Sequence, residues 1–312
     1  MTASQGSVLV AGSANLDFVV RAAHVPEPGE TVLGRDFDTF PGGKGANQAV
    51  ACARAGGAAT SMLVALGDDA FAAPLEASLR DAGVTLDIVR AGQPTGVAFV
   101  CLSDSAENAI TVAPGANGAL RPEHLPSLTG VTHLLLQLET PLPSVEAWAR
   151  AARAADVAVV LNAAPAQTLP KSLLAHCDLL IVNEGELTAL TGIEGDIAAA
   201  LDALDVPRVV VTLGARGCCA RMDGQQLLQP AFTIAALDTT GAGDTFCGTL
   251  VAALSRGLPF AAALRRASAA SALACTQLGA QTGVPTYDEV ERLLAEQADA
   301  SIFELAAYSG FA

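Results

Sequence analysis

Basic residues are the first scarcity in this chain. Seventeen Lys and Arg stand against 32 Asp and Glu, a formal charge of −15. That balance excludes the broad basic surface with which proteins neutralise nucleic-acid phosphates or hold anionic membranes. An anion that binds here must be held by local groups. Long apolar runs are also missing: none approaches the ~20 residues of a membrane span. The opening MTASQGSVLVAGSANLDFVV has no basic n-region, so the expected location is the cytoplasm. Cysteine pairing is absent too. The seven cysteines, at 52, 101, 177, 218, 219, 247 and 275, form no C-x-x-C pair and do not cluster with the four histidines. This argues against a zinc site or a disulfide framework and predicts reduced, mostly buried thiols. Cys247 is singled out only because it follows a candidate catalytic motif.

What is present is half apolar, 16% charged and 4% aromatic, a composition suited to helix-on-sheet packing built from Ala, Val and Leu in a 312-residue chain able to bury a large core. From about Val131 onward, VTHLLLQL, VAVVLNA, DLLIVNE and PRVVVTLG read as buried strands, and PSVEAWARAARAA, DIAAALDAL and TFCGTLVAALSRG as helices. The alternation predicts βαβ units and an α/β body whose mostly parallel sheet is covered on both faces. The first third differs. Strand-like SVLVAGSANLDFVVRA and GVAFVCLSDSAENAITVAPG, the latter broken by a hairpin-like Asp-Ser-Ala-Glu-Asn, flank a Pro- and Gly-bearing stretch between Arg21 and Phe40. A small β-sheet lid, formed from parts of residues 15–40 and 95–112, is expected to project from the body. No internal repeat or linker divides residues 1–312, which read as one domain. The last segment, 299–312, either docks on the body or on a neighbouring subunit, or frays.

The most informative stretch is LDTTGAGDTFCGTLVAAL, residues 237–254. A Thr-Gly-Ala-Gly turn opens an apolar helix, whose N-terminal amides and partial positive charge suit an anion. Asp244 is then oddly placed, because a carboxylate beside a phosphate repels it unless it has its own task. One such task is to orient the attacking hydroxyl in phosphoryl transfer and take its proton. The alternative is an N-cap. Asp238, six residues earlier, adds a carboxylate suited to a cation. Neither G-x-x-x-x-G-K-[ST] nor G-x-G-x-x-G after the first strand is present, and AGSANLD holds a single glycine where a dinucleotide fingerprint needs three.

PGGKGANQAVACARAGG (41–57) and DTTGAGDTF resemble the two signatures of the ribokinase-like carbohydrate kinase family. Between them GSANLD, TGVAFV, PGAN, LLLQLETP, VNEGE and VTLGARG fall in the family's order and spacing, so the resemblance covers residues 7–290. It implies a three-layer α/β/α body with a projecting lid, and transfer of the γ-phosphoryl group of ATP to the 5-hydroxyl of D-ribose. It further implies magnesium, a monovalent cation (potassium), and a homodimer packed through the lids. Asp244 would be the base, and Gly241, Ala242 and Gly243 would stabilise developing charge. The sugar would lie on Asn15, Asp17, Gly43, Lys44, Asn47, Glu139 and Asp244, with the glycine run preceding a helix over 47–55. Asn183, Thr212, Gly214, Gly217, Gly243 and Ser268 would hold the nucleotide. Arg216 is left open between phosphate ligand and surface charge. Glu186 would order magnesium through water, and Asp238 with the carbonyls of Thr240, Ala274, Gln277, Gly279 and Gly283 would hold potassium.

Two departures from the family pattern matter. Gln277 and Leu278 stand where basic residues are frequent, which leaves cation dependence less firmly implied than the fold. Ala163 replaces a proline in LNAAPA, so a less firmly held Asn162 is expected. Rival readings are a kinase for another pentose, a nucleoside or a sugar phosphate, and a sensor that keeps the fold without turnover.

Overall fold

The computed structural model describes residues 6–103, 108–298 and 300–311. Its strands are β1 (Ser7–Ala11), β2 (Asn15–Ala22), β3 (Asp36–Gly42), β4 (Ala59–Gly67), β5 (Thr85–Ala91), β6 (Gly96–Ser103), β7 (Asn108–Ala113), β8 (Val131–Leu136), β9 (Ala158–Asn162), β10 (Leu179–Asn183), β11 (Arg208–Thr212), β12 (Gly217–Met222) and β13 (Gln225–Pro230). The helices are α1 (Lys44–Arg54), α2 (Ala72–Asp81), α3 (Leu142–Ala154), α4 (Lys171–Leu174), α5 (Glu184–Thr191), α6 (Ile197–Asp202), α7 (Ala242–Ser255), α8 (Phe260–Ala274), α9 (Tyr287–Glu296) and α10 (Phe303–Ser309).

Short runs that are apolar at nearly every position cannot leave one face in water, so they become central strands covered twice. The main sheet runs β13-β12-β11-β10-β9-β8-β1-β4-β5, parallel from β11 to β5, with β12 and β13 antiparallel at one edge. Period-two alternation then divides the core. Val8, Val10, Leu135 and Val160 pack with α1, α2, α7, α8 and α9, whereas Leu9, Leu134, Leu136 and Leu161 pack with α3, α4, α5, α6 and the C-terminal α10. The result is the α/β/α body expected from the sequence. No described helix is long and apolar enough to cross a membrane.

A second sheet, β3-β2-β6-β7, pairs β2 with β6 in parallel and its outer strands antiparallel. It leaves the body at Gly12–Ala14, between the end of β1 and the start of β2. Residues 104–107 of the expected hairpin turn lie outside the described residues.

The helix expected over 47–55 begins three residues earlier, at Lys44. The glycines argued for a turn, but the first N–H groups of α1 find acceptors from other elements: Lys44 N on Glu139 Oε2 (3.1 Å), Gly45 N on Ser13 Oγ (3.3 Å) and Ala46 N on the Ser13 carbonyl (2.8 Å). Tertiary acceptors thus replace the local capping that the sequence lacks.

Candidate active site

In open α/β sheets the carboxyl ends of parallel strands form the ligand edge. Here they deliver Ser13 and Asn15 after β1, Gln137 and Glu139 after β8, Asn162 at the end of β9, Asn183 at the end of β10, and Thr212 at the end of β11. The N-termini of α1 and α7 close over the same edge and bring Lys44, Asn47 and Gln48 against Asp244.

Asp244 does not cap its helix. The N-cap is Gly241, in the left-handed region at φ 74°, and no side chain caps the end. The Asp244 carboxylate instead accepts from Asn47 Nδ2 through Oδ2 and from Gln48 Nε2 through Oδ1, both at 2.9 Å. It is buried, at 9% exposure, and shares a polar cavity of about 140 Å³ with Lys44, Asn162, Asn183, Glu186, Gly241, Gly243 and Cys247. The Asp244 charge, opposed by burial and reinforced by Glu139 and Glu186, raises the Lys44 ammonium above its ordinary range. Lys44 is therefore a fixed positive charge beside the Asp244 carboxylate. At the start of α7, Ala242, expected with Gly241 and Gly243 to stabilise developing charge, donates its amide to the Thr239 carbonyl (3.2 Å).

On the other side of Asp244 lie the expected sugar residues. Gly43, at φ 90°, would bring a Cβ within 2.7 Å of the Ala14 Cα, so only glycine lets α1 approach the chain after β1 so closely. Glu139 Oε2 accepts from Ser13 Oγ (2.6 Å) as well as from the Lys44 amide. Burial, with the Glu139 and Asp244 charges added, pushes the Asp17 carboxyl up to about 7. Three carboxylates with so few donors between them suit a ligand that brings hydroxyl groups. Asn15 is fixed by Asn117 Nδ2, which donates to Asn15 Oδ1 (2.8 Å) and to the Ala14 carbonyl (3.1 Å).

A larger cleft of about 460 Å³ opens beyond α7, with Thr212, Gly214, Gly217, Gly243 and Ser268 in its lining as expected for a nucleotide. Phe232, Ile234 and Phe246 supply apolar wall. Thr212 and Gly243 line both cavities, so the two adjoin. Arg216 is not in the lining: its guanidinium sits 3.9 Å over the Tyr308 ring of α10.

Asn183 and Glu186 form a reciprocal capping box at the start of α5, Glu186 N donating to Asn183 Oδ1 and Asn183 N to Glu186 Oε2, each at 2.8 Å. Burial, aided by the Asp244 charge, still raises the Glu186 carboxyl, although the Asn183 amide and Lys44 oppose it. Burial also pushes the Cys247 thiol well up, with Asp244 and Glu186 adding, so it lines the small cavity as an unionised group. All seven cysteines are free.

Asp238 accepts from Thr240 N and Gly279 N, both at 2.9 Å, and these bonds outweigh burial to hold its carboxyl low. Nearby, a Cβ on Gly283 would meet the carbonyl oxygens of Gly279, Ala274 and Gln277 at 2.8, 3.0 and 3.6 Å. Asn162, expected to be loosened by Ala163, is instead buried and donates to the Ile181 carbonyl (3.1 Å). Ala163 itself donates its N–H to that carbonyl (3.0 Å), a bond proline lacks the donor to make.

Sequence reasoning passed over Gln48, Gln137, Asn117 and Gln281. All four are buried amides, and the sequence signal for Gln48, Gln137 and Asn117 was only their place inside a motif.

A family description, pfkB family carbohydrate kinase, matches residues 5–287. A ribokinase of Haemophilus influenzae is 38% identical over 301 residues, 92% of this chain and 98% of that protein. One from Bacillus subtilis is 38% identical over 294 residues, 92% of this chain and 99% of that protein. Among solved structures, the ribokinase of Arabidopsis thaliana complexed with ribose and ATP superposes with a TM-score of 0.86 at 32% identity, over 94% of this chain and 100% of that one. The chain belongs to the pfkB family of carbohydrate kinases.

Proposed function

We propose that the protein is an ATP-dependent ribokinase that transfers the γ-phosphoryl group of ATP to the 5-hydroxyl of D-ribose. The observation that carries this reading is the position of Asp244, held by two amide donors at the N-terminus of α7, with the hydroxyl-seeking carboxylates on one side and the apolar cleft on the other. The ribose and ATP bound to the Arabidopsis relative support the choice of both ligands. Asn15, Asp17, Gly43, Asn47 and Glu139 orient the sugar, and Asp244 takes the proton of its 5-hydroxyl as the oxygen bonds to the γ-phosphorus and ADP leaves. Lys44 and the Gly241 and Gly243 amides lower the energy of charge developing on the phosphoryl oxygens. Asn183, Thr212, Gly214, Gly217 and Ser268 receive the nucleotide.

Magnesium would neutralise charge on the phosphates, and Glu186, a single buried carboxylate, fits an ordering role through water rather than direct chelation. The carbonyls crowded beside Gly283 suit a monovalent cation close to Asp238, with Thr240 and Gly283 contributing their own carbonyls, and potassium is the proposed occupant. The small sheet acts as a lid that excludes water during transfer and as the contact between two subunits. Free cysteines throughout fit the reducing cytoplasm.

ADP release with magnesium ATP tests the reading, with D-ribose, 2-deoxyribose, adenosine or fructose 6-phosphate as acceptor in potassium and in sodium buffer. Ribose-dependent turnover that is higher in potassium and falls about 10³-fold or more in Asp244→Asn is expected from loss of a general base. Turnover with another acceptor alone would overturn the ribose assignment, and no turnover with any acceptor would overturn the kinase reading.

A further inference from the structure

The two donors that fix Asp244 belong to longer chains of buried amides. Gln48 Nε2 donates both to Asp244 Oδ1 and to Asn162 Oδ1 (2.9 Å each), Asn162 Nδ2 donates to the Ile181 carbonyl (3.1 Å), and Gln137 Nε2 donates to Gln48 Oε1 (2.6 Å). On the Asn47 side, Gln281 Nε2 donates to Asn47 Oδ1 (3.1 Å) and Ser78 Oγ to Gln281 Oε1 (2.6 Å). Gln48 and Gln137 are completely buried.

The polarity of the first chain has one solution. A backbone carbonyl only accepts, so Asn162 must turn its amino group to Ile181 and its oxygen to Gln48. Gln48 must then present its amino group, whose two hydrogens are divided between Asn162 and Asp244, and its oxygen faces Gln137. Flipping the Gln48 amide would point an oxygen at a carboxylate and at an amide oxygen together, which no donor would offset. The carbonyl of β10 therefore dictates, through two side chains, that a donor always faces Asp244 Oδ1. The chain also ties α7 to the ends of β8, β9 and β10. The network is kept although Gln137 Oε1, at its end, is buried without a hydrogen-bond partner, a cost in free energy that an apolar side chain at position 48 would avoid.

Resting on the assignment of Asp244 as base, we propose that Gln48 is the positioning residue of the transfer reaction. It aims one oxygen of Asp244 at the sugar hydroxyl, with Gln137 and Asn162 fixing Gln48 in turn. The titratable groups that face Asp244 are Lys44, Asp17, Glu186 and Cys247, and none of them is altered by a change at Gln48.

The test compares Gln48→Met, which keeps volume and removes both donors, with Gln48→Glu and Asp244→Asn, reading kcat and both KM values. In Gln48→Met, kcat is expected to fall about 10²-fold, the order a lost preorganised donor costs, with both KM values within about threefold. Gln48→Glu should be slower still, since a second carboxylate then faces Asp244. If Asp244→Asn is inactive while Gln48→Met keeps wild-type kcat, the positioning role is wrong and the base assignment stands. If Asp244→Asn retains turnover, the base assignment fails and takes this inference with it. Should Gln48→Met not yield folded protein, Asn162→Leu, which removes the acceptor that fixes the Gln48 amide, is read in the same way: a lower kcat at unchanged KM supports the role, and an unchanged kcat overturns it.

Discussion

At the scale of single residues, Asp17 carries the sharpest consequence. Its carboxyl is pushed up to about 7 in the folded protein from an ordinary 3.8, so between those values the folded chain holds a proton that the unfolded chain has lost. Stability must then fall as pH rises through that window. Asp17→Asn removes the penalty, and its advantage over wild type in denaturation of the ligand-free protein should grow by about 2–3 kcal/mol between pH 5 and pH 8, at ~1.4 kcal/mol per unit. A difference that stays constant with pH would clear Asp17 of responsibility. Function should run the other way. An ionised Asp17 accepts from sugar hydroxyls, so the wild-type sugar KM is expected to rise as pH drops below about 7, whereas Asp17→Asn should bind sugar poorly at every pH. Asp17 is proposed as a sugar ligand on the family resemblance of GSANLD. Its titration was not legible in the sequence, because Glu139 and Asp244 lie 122 and 227 positions away in sequence (139 − 17 and 244 − 17).

At the scale of elements, the site depends on how closely α1 and α7 pack. A Cβ on Gly248 would stand 2.4 Å from the Gln48 carbonyl oxygen and 2.7 Å from the Ala51 Cβ, and Cys52 Sγ donates to the Gly248 carbonyl at 3.1 Å. Gly248→Ala must push the helices apart and with them Gln48 and Asn47 from Asp244. The expected cost is about 1–3 kcal/mol of stability, read as a lower Tm, together with a lower kcat at unchanged KM for ATP. A lower Tm with wild-type kcat would show that the base tolerates a wider helix spacing. The strands β8, β9, β10 and β11 and the helices α3, α6 and α7 were legible, because each has a clear period or an unbroken apolar run. The first turn of α1 was not, since its amide acceptors come from Ser13 and Glu139 on other elements.

At the scale of the whole molecule, the small sheet exposes a face that single-chain packing leaves in water. Phe37 and Phe99 are 60% and 55% exposed, and both stack on Phe18 at 6.0 and 5.5 Å. Burial of this face between two lids is the proposed dimer contact. Sedimentation should give a dimer for the wild type and a monomer for Phe99→Glu, with a higher sugar KM in the monomer if the partner steadies the lid. A wild type that sediments as a monomer at micromolar concentration would remove the dimer from the proposal.

The sequence by itself determined the α/β class, the family and the residues at the strand ends and helix starts, because periodicity and motif spacing are properties of neighbouring positions. Only the tertiary structure decided that Asp244 is held by amides rather than capping a helix, that Arg216 leans on Tyr308, and that Asn162 is locked rather than loosened. Hydrogen-bond partners and burial are set by elements far apart in the chain, and a polar residue shows its role only when the groups that satisfy it are in place.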